Sequence, residues 1–123
     1  MAAHNQLGAL GEDLALSFLE KKGYKLIAKN WRFRRNEIDL IMQDADNIVF
    51  VEVKTRTKSE LGVPTDAITS SKIRHLVSVA HAYLQQHQSR LYPRFDIVAI
   101  VINPEGQTSK IEHIEDAFYP PLS

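Results

Sequence analysis

Asp39, Glu52 and Lys54 are the residues of this chain best suited to chemistry, because two short apolar runs deliver all three to one place. The runs are Asn36-Glu37-Ile38-Asp39-Leu40-Ile41 and Ile48-Val49-Phe50-Val51-Glu52-Val53-Lys54, joined through Asp44-Ala45-Asp46-Asn47. Valine, isoleucine and phenylalanine favour strands, and aspartate and asparagine favour a tight turn, so the stretch reads as a β-hairpin. A loop centred between Ala45 and Asp46 pairs Asp44 with Asn47, Ile41 with Phe50, Asp39 with Glu52 and Glu37 with Lys54. Cross-strand neighbours have Cβ atoms roughly 4.5–5.5 Å apart. Strict alternation then puts Glu37, Asp39, Glu52 and Lys54 on one face, and Ile38, Leu40, Val51 and Val53 on the other.

Opposed carboxylates repel unless something neutralises them, and a divalent cation does so. Hard cations such as Mg²⁺ take one or two carboxylates and keep several waters. Lys54, on the same face, would orient a metal-bound water or stabilise charge developing on a phosphate. That set of groups suits phosphodiester hydrolysis. The competing reading is a half-exposed antiparallel strand on which Glu52 and Lys54 merely pair.

The elements around the hairpin must position these groups. Leu7, Leu10, Leu14 and Phe18 recur at helical spacing between about His4 and Lys22, with Gly23 as the stop. A neighbouring stripe holds Gly8, Glu12, Ala15 and Leu19, so Glu12 is either a helix-edge charge or a third carboxylate aimed at the site. Asp13 lies on a more polar face. Tyr24 to Lys29 predicts a first strand. Asn30-Trp31-Arg32-Phe33-Arg34-Arg35 follows, in which arginines suit phosphates and aromatics suit either base stacking or the core. Beyond Lys54 the chain turns polar, with Arg56 and Lys58 in the strand parity of Lys54, and breaks into a loop around Gly62 and Pro64. Thr69, Ser70 or Ser71 caps a second helix to about Gln88, with the apolar stripe Ile73, Leu76, Val77, Ala80 and Leu84. Lys72, Arg74 and His75 crowd its first turn, where the helix dipole favours an anion. Arg94 to Ile102 reads as a buried central strand, with Asp96 pairing with Arg94 or lying near a site. Lys110 to Ile114 adds a short edge strand, and the tail through Tyr119-Pro120-Pro121 is irregular.

At 123 residues with no cysteine, the chain reads as one domain without disulfides or thiolate metal sites. The five histidines are not spaced as ligands and read as structural or surface residues. No nucleophilic triad or glycine-rich phosphate loop can be assembled, and no repeat or low-complexity segment is present. There is no apolar run long enough to span a bilayer and no signal core, so a cytoplasmic location without a membrane partner is expected. The formal net charge is zero, but it is unevenly spread. Lys21 to Arg35 carries seven basic residues and no acid, whereas Glu105 to Asp116 carries four acids against Lys110.

The order helix, strand, hairpin, helix, strand, with Glu12, Asp39, Glu52 and Lys54 at these positions, resembles the restriction-endonuclease-like PD-(D/E)xK superfamily. More closely, the chain resembles the bacterial YraN family. That resemblance rests on Gly11-Glu12, Asn30-Trp31-Arg32, Glu37 to Ile41, Val49 to Arg56, Ala67 with Lys72, and Arg94-Phe95-Asp96. It implies an α/β fold with a central mixed sheet flanked by helices, an αβββαβ core over about residues 7–102 similar to that of archaeal Holliday-junction resolvases. It implies Asp39 and Glu52 as ligands of Mg²⁺ or Mn²⁺, Lys54 as the catalytic lysine and Glu12 as an accessory acid. Ile38 replaces the proline of the superfamily's name. Asn36 replaces a glycine, and asparagine is the next best residue for a left-handed turn. The expectation is therefore a metal-dependent nuclease acting on DNA, with Arg32, Arg34, Arg35, Arg56 and Lys72 tracking phosphates. A homodimer would suit a two-stranded substrate. The alternatives are a non-catalytic nucleic-acid-binding or recruiting module that keeps the fold, and an interaction protein.

Overall fold

Residues 3–57 and 69–118 are described by a computed structural model. Helix α1 (Ala3–Lys21) is followed by strands β1 (Lys25–Phe33), β2 (Asn36–Asp44) and β3 (Asn47–Thr57). Helix α2 (Ser70–His87) then leads to β4 (Tyr92–Ile102) and β5 (Thr108–Ile114). The strands form one sheet in the order β1-β2-β3-β4-β5, antiparallel except for the β3–β4 pair. A parallel pair needs a long crossover, and α2 lies within it. The protein is thus α/β, with a mixed five-stranded sheet and a helix on each face. Lys58, Ala67, the Gly62–Pro64 break and the Tyr119-Pro120-Pro121 tail lie outside the described residues.

Each sheet face buries its own core. Ala15 and Leu19 of α1 pack on Leu40, Met42, Val49, Val51, Val98 and Ile100. Leu76, Val79, Ala80 and Tyr83 of α2 pack on Ile38, Ile41, Ile48, Phe50 and Phe95. With both faces covered, β4 is buried continuously from Phe95 to Ile100. Leu7, Leu14 and Phe18 of the expected α1 stripe pack on the first of these cores partly buried, while Ala15 and Leu19 of the neighbouring stripe are fully buried and Leu10 is 37% exposed. Small residues explain this. A Cβ at Gly11 would overlap Thr55 Oγ1, so glycine lets the helix backbone close onto β3. In α2 the stripe is also rotated, since Val79, Ala82 and Tyr83 are buried and Ile73, Val77 and Leu84 are only half-buried.

Local chemistry sets the ends. Gly23 (φ 97°) closes α1, with its N–H on Glu20 O and the Tyr24 N–H reaching back to Leu19 O at 3.1 Å. Thr69 caps α2 by accepting the Lys72 N–H at 3.1 Å. The β2–β3 turn is centred as expected, with Asp44 opposite Asn47 and Ala45 left-handed (φ 53°). The β1–β2 turn corrects the expectation for Asn36, which pairs with Phe33 in the ladder while Arg34 takes the left-handed conformation (φ 60°). Strand β1 runs on to Phe33, with Leu26 and Ile27 exposed beside a bulge. Strands β3 and β5 are likewise longer than expected.

Alternation along β2 fails at one residue. Ile38 joins the α2 core and Leu40 the α1 core, although both have the same parity. On β1 the opposing residue is Asn30, between Lys29↔Leu40 and Trp31↔Ile38, and it is left-handed (φ 48°). There too the parity shifts, since Ala28 and Trp31 both pack on the α2 side. A positive φ turns the strand over, and β2 follows its partner. Phe33 also lies against that core, while Arg32, Arg34 and Arg35 remain exposed. The aromatics of the basic segment are therefore inside and its arginines outside.

Candidate active site

The β2–β3 ladder ends at Leu40↔Val51, one pair short of the expected Asp39–Glu52 neighbours. The two strands part where β2 turns over. Asp39 fills the gap as a side chain, its Oδ2 accepting the Val53 N–H at 2.8 Å. Glu37, expected opposite Lys54, instead faces Arg32 across β1 and accepts from its Nε at 3.0 Å.

This parting opens a cleft of about 420 Å³ between the N-terminal halves of the helices. Leu7, Gly8 and Glu12 of α1 line one side, and Lys72, His75 and Leu76 of α2 line the other. Between them lie Arg35, Asn36, Glu37 and Asp39, then Glu52, Val53, Lys54 and Thr55. All four residues expected to do chemistry, Glu12, Asp39, Glu52 and Lys54, thus share one cleft.

Carboxylate oxygens of Glu12, Glu37 and Asp39 lie within 4.8 Å of one another. Glu52 lies in the same cleft, close enough for its charge to act on Asp39. Burial, the Glu52 charge and then the Glu12 charge push the Asp39 carboxyl up to about 8, against the pull of the Val53 N–H. Glu52, 5% exposed, has two ammonium partners on its Oε2, Lys54 Nζ at 3.3 Å and Lys72 Nζ at 3.5 Å. Glu12 is held from β1, its Oε1 accepting from Asn30 Nδ2 at 2.9 Å. The left-handed residue that turns the strands over therefore also steers the acid of α1.

The expected phosphate-tracking residues divide. Arg35 and Lys72 line the cleft, Lys72 as a partner of Glu52 rather than on an outer track. Arg32 is tied to Glu37, and the Arg34 guanidinium lies over the Phe33 ring at 5.1 Å. Arg56, half-buried, continues β3 two residues beyond Lys54. Glu37, Asn30 and His75 were not assigned site roles from sequence. Glu37 shares strand parity with Asp39, and His75 follows Lys72 by three on one helical face, so both carried a signal. Asn30 lay beyond the expected first strand and stood out only within the Asn30-Trp31-Arg32 run that carries the resemblance.

Arg94 and Asp96 pair as expected and stay out of the cleft. Asp96, fully buried, accepts from Arg94 Nε and Nη2, both at 2.9 Å, from His113 Nε2 at 2.8 Å and from the Asp116 N–H at 3.0 Å. His113 is thus a buried structural histidine.

Among the described residues no helix is long and apolar enough to cross a membrane. Residues 11–100 match the profile of the uncharacterised protein family UPF0102. A UPF0102 protein of Flavobacterium psychrophilum is 46% identical over 119 residues, covering 97% of this chain and 98% of its own. One from Phocaeicola vulgatus is 40% identical over 122 residues, 99% of each chain. Another, from Caldanaerobacter subterraneus subsp. tengcongensis, is 43% identical over 114 residues, 91% of this chain and 93% of its own. Profile and relatives agree along nearly the whole sequence, and the chain belongs to the UPF0102 family.

Proposed function

We propose that this protein is a metal-dependent phosphodiester hydrolase of restriction-endonuclease-like fold, acting on DNA. The observation that carries the reading is the grouping of Glu12, Glu37 and Asp39 carboxylates within 4.8 Å, with the Glu52–Lys54 pair lining the same cleft. The element order αβββαβ and the mixed sheet support it, because they bring acids from a helix and two strands to one cleft.

The residues fit a hard divalent cation. All the donors are carboxylates, as Mg²⁺ and Mn²⁺ prefer, and the raised Asp39 carboxyl marks a place short of positive charge. Asp39 and Glu52 would hold the ion, with Glu12 and Glu37 completing the oxygen set or ordering its waters. Bound there, the cation would supply Lewis-acid charge to a phosphate oxygen and a more acidic water. Lys54 orients the attacking water and offsets charge on the phosphate. Glu12, steered by Asn30, accepts a proton from that water. Arg35 and His75, on the rim, meet the flanking phosphates.

The test is cleavage of labelled duplex and branched DNA in Mg²⁺ or Mn²⁺. Asp39→Ala and Glu52→Ala are each expected to lower the rate at least about a hundredfold while keeping a wild-type circular dichroism spectrum. Unchanged cleavage by both variants would sink the mechanism. Salt-sensitive DNA binding with no turnover in any metal would instead favour a non-catalytic module on the same fold.

A further inference from the structure

Glu52 has more positive charge on it than a buried carboxylate needs. Lys54, two residues along β3, is a fixed neighbour. Lys72 comes from a different element and reaches the same oxygen, Oε2, at 3.5 Å from the first turn of α2. Both lysines address one oxygen of an acid whose charge also acts on Asp39. Lys72 is also the more exposed of the two, its side chain 39% accessible against 26% for Lys54. A long flexible side chain at a cleft rim can therefore leave Glu52 with little other rearrangement.

We propose that Lys72 is a tethered counter-ion, which stands in for the metal on Glu52 and is released to the DNA phosphate when a divalent cation binds. The inference rests on the metal-dependent reading above and adds a coupling to it. Cation and ammonium cannot both be close to Glu52 without mutual repulsion, so the metal-free protein keeps Lys72 on its own acid. Once a cation takes the acid, Lys72 is left at the cleft mouth, near Arg35 and His75, with its charge unmatched. An anionic substrate supplies the match. Metal and phosphate then bind with positive cooperativity, each favouring the arrangement the other needs.

Two effects of opposite sign follow from removing the ammonium. Lys72→Met relieves the competition and should bind Mn²⁺ about three- to fivefold more tightly, the range an ion pair of this exposure contributes. The same variant should show a smaller gain in DNA affinity from a cation than the wild type, keeping only what the cation itself contributes. The α2 cap uses the Lys72 backbone N–H, so it survives the substitution. Lys72→Gln provides a second side chain with the same expectations, and Lys110→Met removes one charge from β5, outside the cleft, as a control.

Mn²⁺ alone is titrated into each full-length protein by calorimetry. A fluorescein-labelled DNA duplex is then titrated with and without Ca²⁺, read by anisotropy. Tighter Mn²⁺ binding in both Lys72 variants but not in Lys110→Met, together with a Ca²⁺-dependent gain smaller than that of the wild type, is the expected result. Wild-type Mn²⁺ affinity in the Lys72 variants would overturn the counter-ion role alone, leaving the metal site standing. Failure of the wild type to take up any divalent cation would overturn both.

Discussion

Asp39 accepts one strand's backbone N–H and shares the cleft with three other acids, Glu12, Glu37 and Glu52, and this gives the cleft a predictable response to pH. Its carboxyl lies near 8, raised first by burial and then by the charges of Glu52 and Glu12, whereas in the unfolded chain it returns to about 3.9. Between those values the folded protein keeps a proton that the unfolded chain has lost. Its stabilising contribution is complete below about pH 4 and lost as pH rises through about 8. Metal-free protein should therefore lose stability across this window, by up to one proton's worth, about 1.4 kcal/mol per pH unit. Asp39→Asn should flatten the slope. Urea denaturation in a chelator at stepped pH measures it, and parallel slopes for the two proteins would contradict the assignment. Saturating Mg²⁺ should oppose the loss, because a cation replaces the proton.

Strands β1 and β2 turn over together, at Asn30 and Asp39, and that joint kink makes the cleft. Asparagine is the residue other than glycine that best tolerates φ of 48°. Asn30→Gly keeps the backbone and deletes the hydrogen bond to Glu12, so it should leave stability within about 1 kcal/mol while weakening Mn²⁺ uptake severalfold. Asn30→Val adds the left-handed penalty and should cost about 1–2 kcal/mol more. Equal Mn²⁺ affinity in Asn30→Gly and wild type would show that the side chain does not steer Glu12. The same kink marks the limit of what was legible in the sequence. Turn chemistry at Asp44 to Asn47 fixed the register, which placed Asp39 and Glu52 at the same level. Alternation could not show that Ile38 and Leu40 diverge, because a single positive φ on a neighbouring strand decides it. In α1 the close approach that Gly11 allows was legible from its size, but the exposure of Leu10 was not. Gly11 and Ala15 are weakly apolar, yet they set how closely the helix meets β3, whereas larger Leu10 stays outside. Glu37 was visible on the right face of the hairpin, but its approach to Glu12 depends on the folded position of α1.

At the scale of the whole molecule, hydrogen bonds tie the start of the basic segment to the acidic C-terminal segment. The basic segment following α1 meets the acidic C-terminal segment. Lys22 Nζ donates to His113 Nδ1 at 2.8 Å, and Tyr24 OH donates to Glu115 at 2.7 Å. Arg94 gathers the cluster through Asp96, Asp44 at 3.1 Å and Tyr24 OH at 2.6 Å. Farther along the basic segment Lys29 pairs with Asp13 and Arg32 with Glu37, and Arg35 lines the cleft. Burial raises the Asp96 carboxyl, but the hydrogen bonds from His113, Arg94 and the Asp116 N–H more than offset it and hold it below the usual range. Its stabilisation is therefore present above about pH 4 and lost in acid, opposite in sign to that of Asp39. Breaking such a buried pair costs more than replacing it, since the remaining charge is stranded. Arg94→Met should destabilise by about 3–5 kcal/mol, and the double variant Arg94→Met, Asp96→Leu should recover part of that loss. None of these residues lines the cleft, so Mn²⁺ affinity should hold in any variant that stays folded. Urea denaturation of the two singles and the double gives the coupling directly, and additive losses would mean that Arg94 and Asp96 act independently.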